Sequence, residues 1–499
     1  MLGKWLHPRL NGVRMRTRTP YVAGIALIAM TATACSINPA TGERQLSLIS
    51  ESQEVNIGKE GSQQVEQSMA MVDDPELQAY VARLGQQLAA ASERPDLPWS
   101  FKVVDDPTPN AFALPGGPIY FTRGMLTLMD SEAELVTVLG HEIAHVTARH
   151  SVEQISRAQL TQLGVGLGMI LIPELRPFGD VAGLGLNLLM LKYGRDAERE
   201  ADELGFGYAR AQNYDVSEMA DVFASLGRMA DLEEQSPLPS WLSTHPAPDE
   251  RVRAVNERLA SRGSRDLDAT VGRAEFLEHI DGLTYGANPR NGFFRDGVFY
   301  HPELAFQFAV PRAWQTQNLA RAVLAVSPEQ DAAMQLTLAP GSSPEEGLRR
   351  FLSQQGVQAG PARGREINGI PAAAASFQAQ TQQGVVAGRV AFLAYDDNLY
   401  QLVTYAPAQR FDQYQATFGD IIASFEPLDD PDILEVEPAV IDIARVERDM
   451  TLAEFDRANP SAIPIERLAI LNQLEGPDSR LSKGTLVKRV VGDPELLAE

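Results

Sequence analysis

Apolar residues recur at three–four spacing between residues 51 and 95, as Val55, Val65 and Met69 and then Leu77, Tyr80, Val81, Leu84 and Leu88, which predicts helices. Residues 99–104 (WSFKVV) predict a strand. NAFALPGG (110–117) and PIYFT (118–122), joined at Gly116-Gly117, predict a small hairpin. Helical periodicity resumes over 131–158, in a Gly-rich apolar pair near 160–191, and over 195–212, 216–233 and 249–261, with a Pro-rich stretch at 236–248. Residues 262–295 are polar and read as a linker. From 296 to 426 short β-like runs dominate (VFYH, LAFQFAV, AVLAV, MQLTLA, VAGRVAFLAYD, LYQLVTYA). Helical patterns at 344–355 and 411–424 interrupt them, which describes an α+β domain. Residues 427–499 end in a strand–helix–helix–strand unit at 439–446, 451–457, 464–472 and 485–491.

The 499 residues suit about three domains. A net charge of −23 excludes recognition of nucleic acid through bulk charge. Residues 1–20 are basic without an acid, and the apolar run 21–34 is too short to span a bilayer. Together they predict a signal peptide over 1–34. Ala32-Thr33-Ala34 suits ordinary A-x-A cleavage, and the same residues before Cys35 resemble a lipobox. The chain's single cysteine falls at that point, which favours lipidation at Cys35. Ser36 after it suggests, by resemblance to Gram-negative sorting, an outer-membrane anchor facing the periplasm. Residues 35–50 then form a tether. With one cysteine, any metal must be held by His, Asp and Glu, and there are seven histidines.

His141-Glu142-Ile143-Ala144-His145 is H-E-x-x-H, on a run predicted to be helical through His150 and opened by Ser131 and Glu134 as a capping box. One turn apart, His141 and His145 share a face and can bind one metal. Glu142 lies about 100° around the helix, where it cannot easily join the two ligands but can reach a water on that metal. Zinc wants a third protein ligand. Glu198 and Asp202 lie four apart on a second predicted helix, so Glu198 can ligate while Asp202 hydrogen-bonds a ligand imidazole. Glu200 points elsewhere by the same spacing. His150, nine residues after His141, falls on another face and reads as structural. Residues 160–191 read as a buried helical hairpin; a flexible lid or lipid-facing patch is the other reading.

HEIAH followed by EREAD resembles the gluzincin pattern H-E-x-x-H…E-x-x-x-D. More narrowly, residues 50–260 resemble the zinc metallopeptidase family of the CAAX prenyl proteases, HtpX and the bacterial β-barrel assembly-enhancing protease. NAFALPGG resembles that family's substrate strand, and His245-Pro246 with Arg251 its late H-P…R element. The resemblance implies a mainly α, zincin-type peptidase domain with a small β-hairpin or sheet over 51–261. It implies one Zn2+ per chain held by His141, His145 and Glu198, with Glu142, Asp202 and His245 in the catalytic apparatus. Substrate would bind at Asn110, Ala111 and Phe112. His245 would either fill the open coordination position at rest or donate to the oxyanion. The substrates implied are polypeptides, unfolded or misassembled envelope proteins. The membrane-spanning helices of some relatives and the tetratricopeptide helices of the assembly-enhancing type have no counterpart here. Residues 296–426 resemble a Mog1/PsbP-like α+β sandwich, and the final βααβ unit a degenerate LysM module, which would imply a peptidoglycan contact. The rival expectation is a binding or chaperone lipoprotein with a vestigial zinc site.

Overall fold

A computed structural model describes residues 35–165, 192–232, 240–246, 248–261, 268–381 and 384–497. The expected signal peptide and most of the apolar hairpin lie outside them. The molecule is multidomain, with a helical N-terminal part and a large β-rich C-terminal part. Among the described residues no helix is long and apolar enough to cross a membrane.

The expected tether forms a short antiparallel pair, β1 (Cys35–Ile37) and β2 (Arg44–Leu46). Helices α1 (Glu51–Ser68) and α2 (Pro75–Ala90) follow, capped by Ser50 and Asp74. Strand β3 (Ser100–Val104) lies parallel to β5 (Pro118–Thr122), and β4 (Ala111–Ala113) pairs antiparallel with β5 at the sheet edge. Gly116 and Gly117 make the β4–β5 turn at φ +78° and +128°, a region open mainly to glycine. Next come α3 (Arg123–Leu128), α4 (Glu132–Thr147), α5 (His150–Val165), α6 (Arg195–Ala211), α7 (Glu218–Leu232), α8 (Ser240–Thr244) and α9 (Pro248–Ser261). The expected continuous helix over 131–158 is instead two, broken where Arg149 adopts φ +59°. The expected capping box is also altered. Ser131 accepts from Glu134 N, but Glu134 reaches back to Asp130 N at 2.6 Å rather than to Ser131.

Residues assigned to the linker contain α10 (Arg273–Ile280), whose Phe276, Leu277 and Ile280 are fully buried. Its His279 stacks on Tyr80 at 3.8 Å. Three apolar residues in eight, facing one way, are too short a pattern to separate from a loop in sequence.

The β-rich part holds β6 (Phe293–Arg295), β7 (Val298–His301), β8 (Phe306–Ala309), β9 (Gln315–Leu319), β10 (Ala322–Val326), β11 (Ala333–Ala339), β12 (Val357–Ile367), β13 (Ile370–Thr381), β14 (Gly384–Tyr395), β15 (Asn398–Pro407) and β16 (Glu426–Pro427). Seven of them form one antiparallel sheet in the order β12-β13-β14-β15-β11-β10-β9, and four a second, β16-β8-β7-β6. Strand β14 shows how the long sheet is covered on both faces. Val390 and Phe392 pack under α11 (Pro344–Leu352), while Ala391 and Leu393 join the core around α12 (Phe411–Ala423). Successive side chains alternate sides, so an unbroken apolar run feeds two cores.

His301 closes β7 with its Nδ1 accepting the Leu304 N–H at 3.2 Å, and burial lowers its pKa from 6.5 to about 4. The unfolded chain therefore binds the extra proton between those values. Stability of this domain should fall as pH drops from 6.5 toward 4 and be unaffected by this group above 6.5. The His301→Phe variant should flatten that slope in urea titrations across the window; an unchanged slope would refute the assignment.

Beyond α13 (Pro431–Leu434), the final unit runs β17 (Val440–Arg445), β18 (Met450–Thr451), α14 (Leu452–Ala458), α15 (Ile465–Leu471), β19 (Arg480–Leu481) and β20 (Leu486–Val491). It does not stand apart. Its Ile441, Phe455, Leu468 and Val490 belong to one apolar core with Leu84, Leu139 and Phe223 of the helical part. Lys488, fully buried on β20, donates to the carbonyls of Met129 (2.6 Å), Thr127 (3.2 Å) and Leu128 (3.5 Å) at the end of α3.

Candidate metal centre

Helices α4 and α6 cross with glycine against glycine. A Cβ on Gly205 would lie 2.7 Å from His141 N and 2.9 Å from Gly140 C, so any side chain there would force the helices apart. This contact brings Glu198 and Asp202 to the H-E-x-x-H face.

The inward nitrogens converge. His141 Nε2 and His145 Nε2 are 3.0 Å apart, and they lie 3.6 and 3.5 Å from the Glu198 carboxylate oxygens. His245, at the end of α8, places Nδ1 3.0 Å from Glu198 Oε1 and 3.3 Å from His141 Nε2. These four residues are buried, with candidate ligand atoms within 4.8 Å of one another. A tetrahedron with zinc bond lengths of about 2.0–2.2 Å has edges of about 3.3–3.6 Å, so the donor set fits such an ion. The ionisation states agree. Burial, then the charges of neighbouring groups, pulls His145 far below the ordinary histidine value. Burial raises Glu198, but His245, Arg251 and His141 more than offset it and its pKa is lowered. A neutral imidazole and an ionised carboxylate are the ligating forms. His245 is the opposite case: burial lowers it, but the carboxylates of Glu198 and Glu142 raise it further.

Glu142 is fully buried, and neither carboxylate oxygen has a hydrogen-bond partner in the described chain. Its nearest polar neighbour in the cluster is His245 Nε2, at 3.7 Å from Oε1. A buried carboxylate without donors is costly unless a water or substrate completes it, and this one borders the metal cluster.

Around this centre lie its supports. Asp202 Oδ1 is 2.9 Å from His141 Nδ1, and the Arg251 guanidinium clasps both Asp202 oxygens at 2.5 and 2.9 Å. Burial raises the Asp202 carboxyl, but Arg251 and His141 outweigh it and hold it well below the usual range. Arg251 itself sits over Phe223 and Trp241, 3.9 and 4.6 Å from their centroids. Tyr193, which the periodicity gave no reason to single out, stacks on His145 at 3.9 Å. One expectation is corrected. His150 does not face away from the ligands, because its Nδ1 lies 2.8 Å from His145 Nδ1. Glu200 has no ligand imidazole as partner among the described residues; it lies 3.6 Å from His150 Nε2 and accepts from Asn38 Nδ2 at 2.6 Å. The error over His150 comes from assuming one unbroken helix over 131–158.

The expected substrate residues lie on the hairpin. Asn110 and Thr122 exchange hydrogen bonds at 2.9 Å, and Phe112 stacks on Tyr120 at 5.1 Å. Among the described residues β4 pairs on one side only. Trp241 N donates to Pro109 O at 3.4 Å, which ties the His245 segment to the start of this strand.

Residues 75–259 match the model of Peptidase family M48. Among individual proteins, it is 33% identical over 230 residues to a beta-barrel assembly-enhancing protease of Yersinia pestis, covering 44% of this chain and 46% of that one. It is 35% identical over 182 residues to the mitochondrial metalloendopeptidase OMA1 of Schizosaccharomyces pombe, covering 36% and 52%. The chain thus spans about half the length of the curated relatives it matches. A solved structure of cyanobacterial PsbP from Synechocystis aligns at 15% identity with a TM-score of 0.23, covering 26% of this chain and 91% of that one.

Proposed function

We propose that the chain is a zinc-dependent metalloendopeptidase of the bacterial cell envelope, hydrolysing unfolded or misassembled envelope proteins. The observation that carries this reading is the buried His141–His145–Glu198 cluster bordered by the carboxylate of Glu142, which has no hydrogen-bond partner among the described residues. The names of the assembly-enhancing relatives support the envelope location.

His141, His145 and Glu198 would hold the ion, which when bound polarises the scissile carbonyl and favours ionisation of water. Glu142 takes the proton of the attacking water and passes it to the leaving amine. Asp202, clamped by Arg251, keeps the His141 ring oriented. The open edge of β4, from Asn110 to Phe112, receives an extended substrate by strand addition, which suits unfolded chains. Purified protein should contain one zinc per chain and cleave casein, and a chelator should stop cleavage. His141→Ala or Glu198→Ala should lose the metal. Stoichiometric zinc retained by a His141, His145 double alanine variant would sink the assignment.

His245 closes the cluster at rest. Held by Glu198, it competes with substrate for the fourth side. The His245→Ala variant should therefore show raised casein cleavage or self-cleavage. A fall of about 10²–10³-fold would instead assign it to the oxyanion, and wild-type kinetics would remove it from both roles.

The proposed domain limits are a signal peptide at 1–34, tether 35–50, peptidase 51–261, connector 262–295, a Mog1/PsbP-like domain at 296–426 and a LysM-like unit at 427–499, the last a candidate contact for peptidoglycan. Lipidation at Cys35 would anchor the chain in the outer membrane. Globomycin treatment should then leave an unprocessed precursor, and Cys35→Ser should release soluble periplasmic protein. Wild-type mature protein with no acyl mass would establish ordinary cleavage.

A further inference from the structure

The turn between α4 and α5 is built around strain. Arg149 holds a left-handed conformation that a non-glycine residue adopts at a cost. It is kept there by a buried network. Arg149 Nε donates to Glu54 Oε2 at 2.8 Å and its Nη2 to Ile49 O at 2.9 Å, while Arg94 binds the same Glu54 at 2.7 and 3.1 Å. In an unbroken helix a residue five positions after His145 would point about 140° away. With the turn, His150 folds back and its Nδ1 meets His145 Nδ1 at 2.8 Å, with both rings buried.

This contact fixes protons. His145 turns Nε2 toward His141 and Glu198, so a lone pair there requires its proton on Nδ1. That proton is donated to His150 Nδ1, which leaves the His150 proton on Nε2, facing Glu200 Oε2 at 3.6 Å. The other Glu200 oxygen accepts from Asn38 Nδ2 at 2.6 Å. Asn38 is 4% exposed, and its own Oδ1 accepts from Ala40 N at 2.9 Å. The arrangement mirrors the other histidine, whose outward nitrogen rests on Asp202. One ligand is anchored directly by a carboxylate, the other through an interposed imidazole.

We propose that His150 is a positioning residue that sets the tautomer and ring orientation of His145, with Glu200 fixing the proton on His150 and Asn38 joining this relay to the hairpin after Cys35. The inference rests on the metal-centre reading above and extends it to residues outside the cluster of His141, His145, Glu198 and His245. Loss of such an outer partner typically lowers metal affinity about 10–100-fold.

The test is zinc competition against a chromophoric chelator, together with the visible absorption spectrum of cobalt-loaded full-length protein. His150→Ala should bind zinc about 10–100-fold more weakly and shift the cobalt bands. His150→Asn, whose Oδ1 can accept the same proton, should recover part of the affinity. Glu200→Gln should weaken zinc by a smaller factor with circular dichroism unchanged, which keeps the test decisive if His150→Ala fails to fold. Wild-type affinity and spectrum in both His150→Asn and Glu200→Gln, with no loss in a folded His150→Ala, would overturn the relay while leaving the metal centre intact. Wild-type protein that binds neither zinc nor cobalt would bring down the metal reading itself, and the relay with it.

Discussion

Glu142→Gln should lower casein cleavage by about 10²–10⁴-fold while leaving zinc content at the wild-type level. The substitution keeps the size of the side chain and removes only its capacity to take a proton. Glu142 is not among the clustered ligand atoms, and its two oxygens make no hydrogen bond in the described chain that the amide would disturb. Folding should therefore be nearly unaffected, and replacing a buried, donor-less carboxylate by an amide could even stabilise the protein. Metal analysis and turnover on one preparation separate the two effects. Cleavage that survives at more than about a tenth of the wild-type rate would point to a different proton acceptor.

Lys488→Met should reduce stability by about 3–5 kcal/mol, the scale of a buried charge network broken on one side. Its ammonium satisfies three carbonyls at the end of α3 and lies 3.7 Å from Asp130 Oδ1. Asp130 is held in turn by Arg273 at 2.6 and 2.9 Å, and Gln473 donates to Glu134 at 2.6 Å. Without the lysine, the helix-end carbonyls lose a buried donor and Asp130 a neighbouring charge. Urea unfolding followed by tryptophan fluorescence would read this, because Trp99 and Trp241 both lie in the shared core. A change below about 1 kcal/mol would mean that the apolar contacts of the final unit suffice to hold it.

The second prediction could not have been framed from sequence. The strand–helix–helix–strand order of the last unit is legible in its periodicity and matches β17, α14, α15 and β20 closely. Nothing in that pattern says which surface its apolar face meets. A lysine inside LVKRVV reads as a solvent-facing residue, and only the tertiary fold buries it against α3. Helix α10 is a parallel case: a polar-looking connector became part of the core because three apolar side chains found α2 and α4.

At the metal centre the division follows the distance over which each rule acts. The H-E-x-x-H spacing places two imidazoles on one face of one helix, and E-x-x-x-D does the same for two carboxylates, because helical geometry is local. Those four residues, with the single-cysteine argument that excludes thiolate ligands, were readable from the chain alone. The meeting of the two helices was not, since it depends on a glycine-to-glycine approach between Gly140 and Gly205 that no periodicity reports. Nor was the contact between His145 and His150. It depends on one left-handed residue, Arg149, kept in place by Glu54 from almost a hundred residues upstream. Spacing along a helix determined which side chains could share a metal. Long-range packing and buried ion pairs decided which others stand behind them.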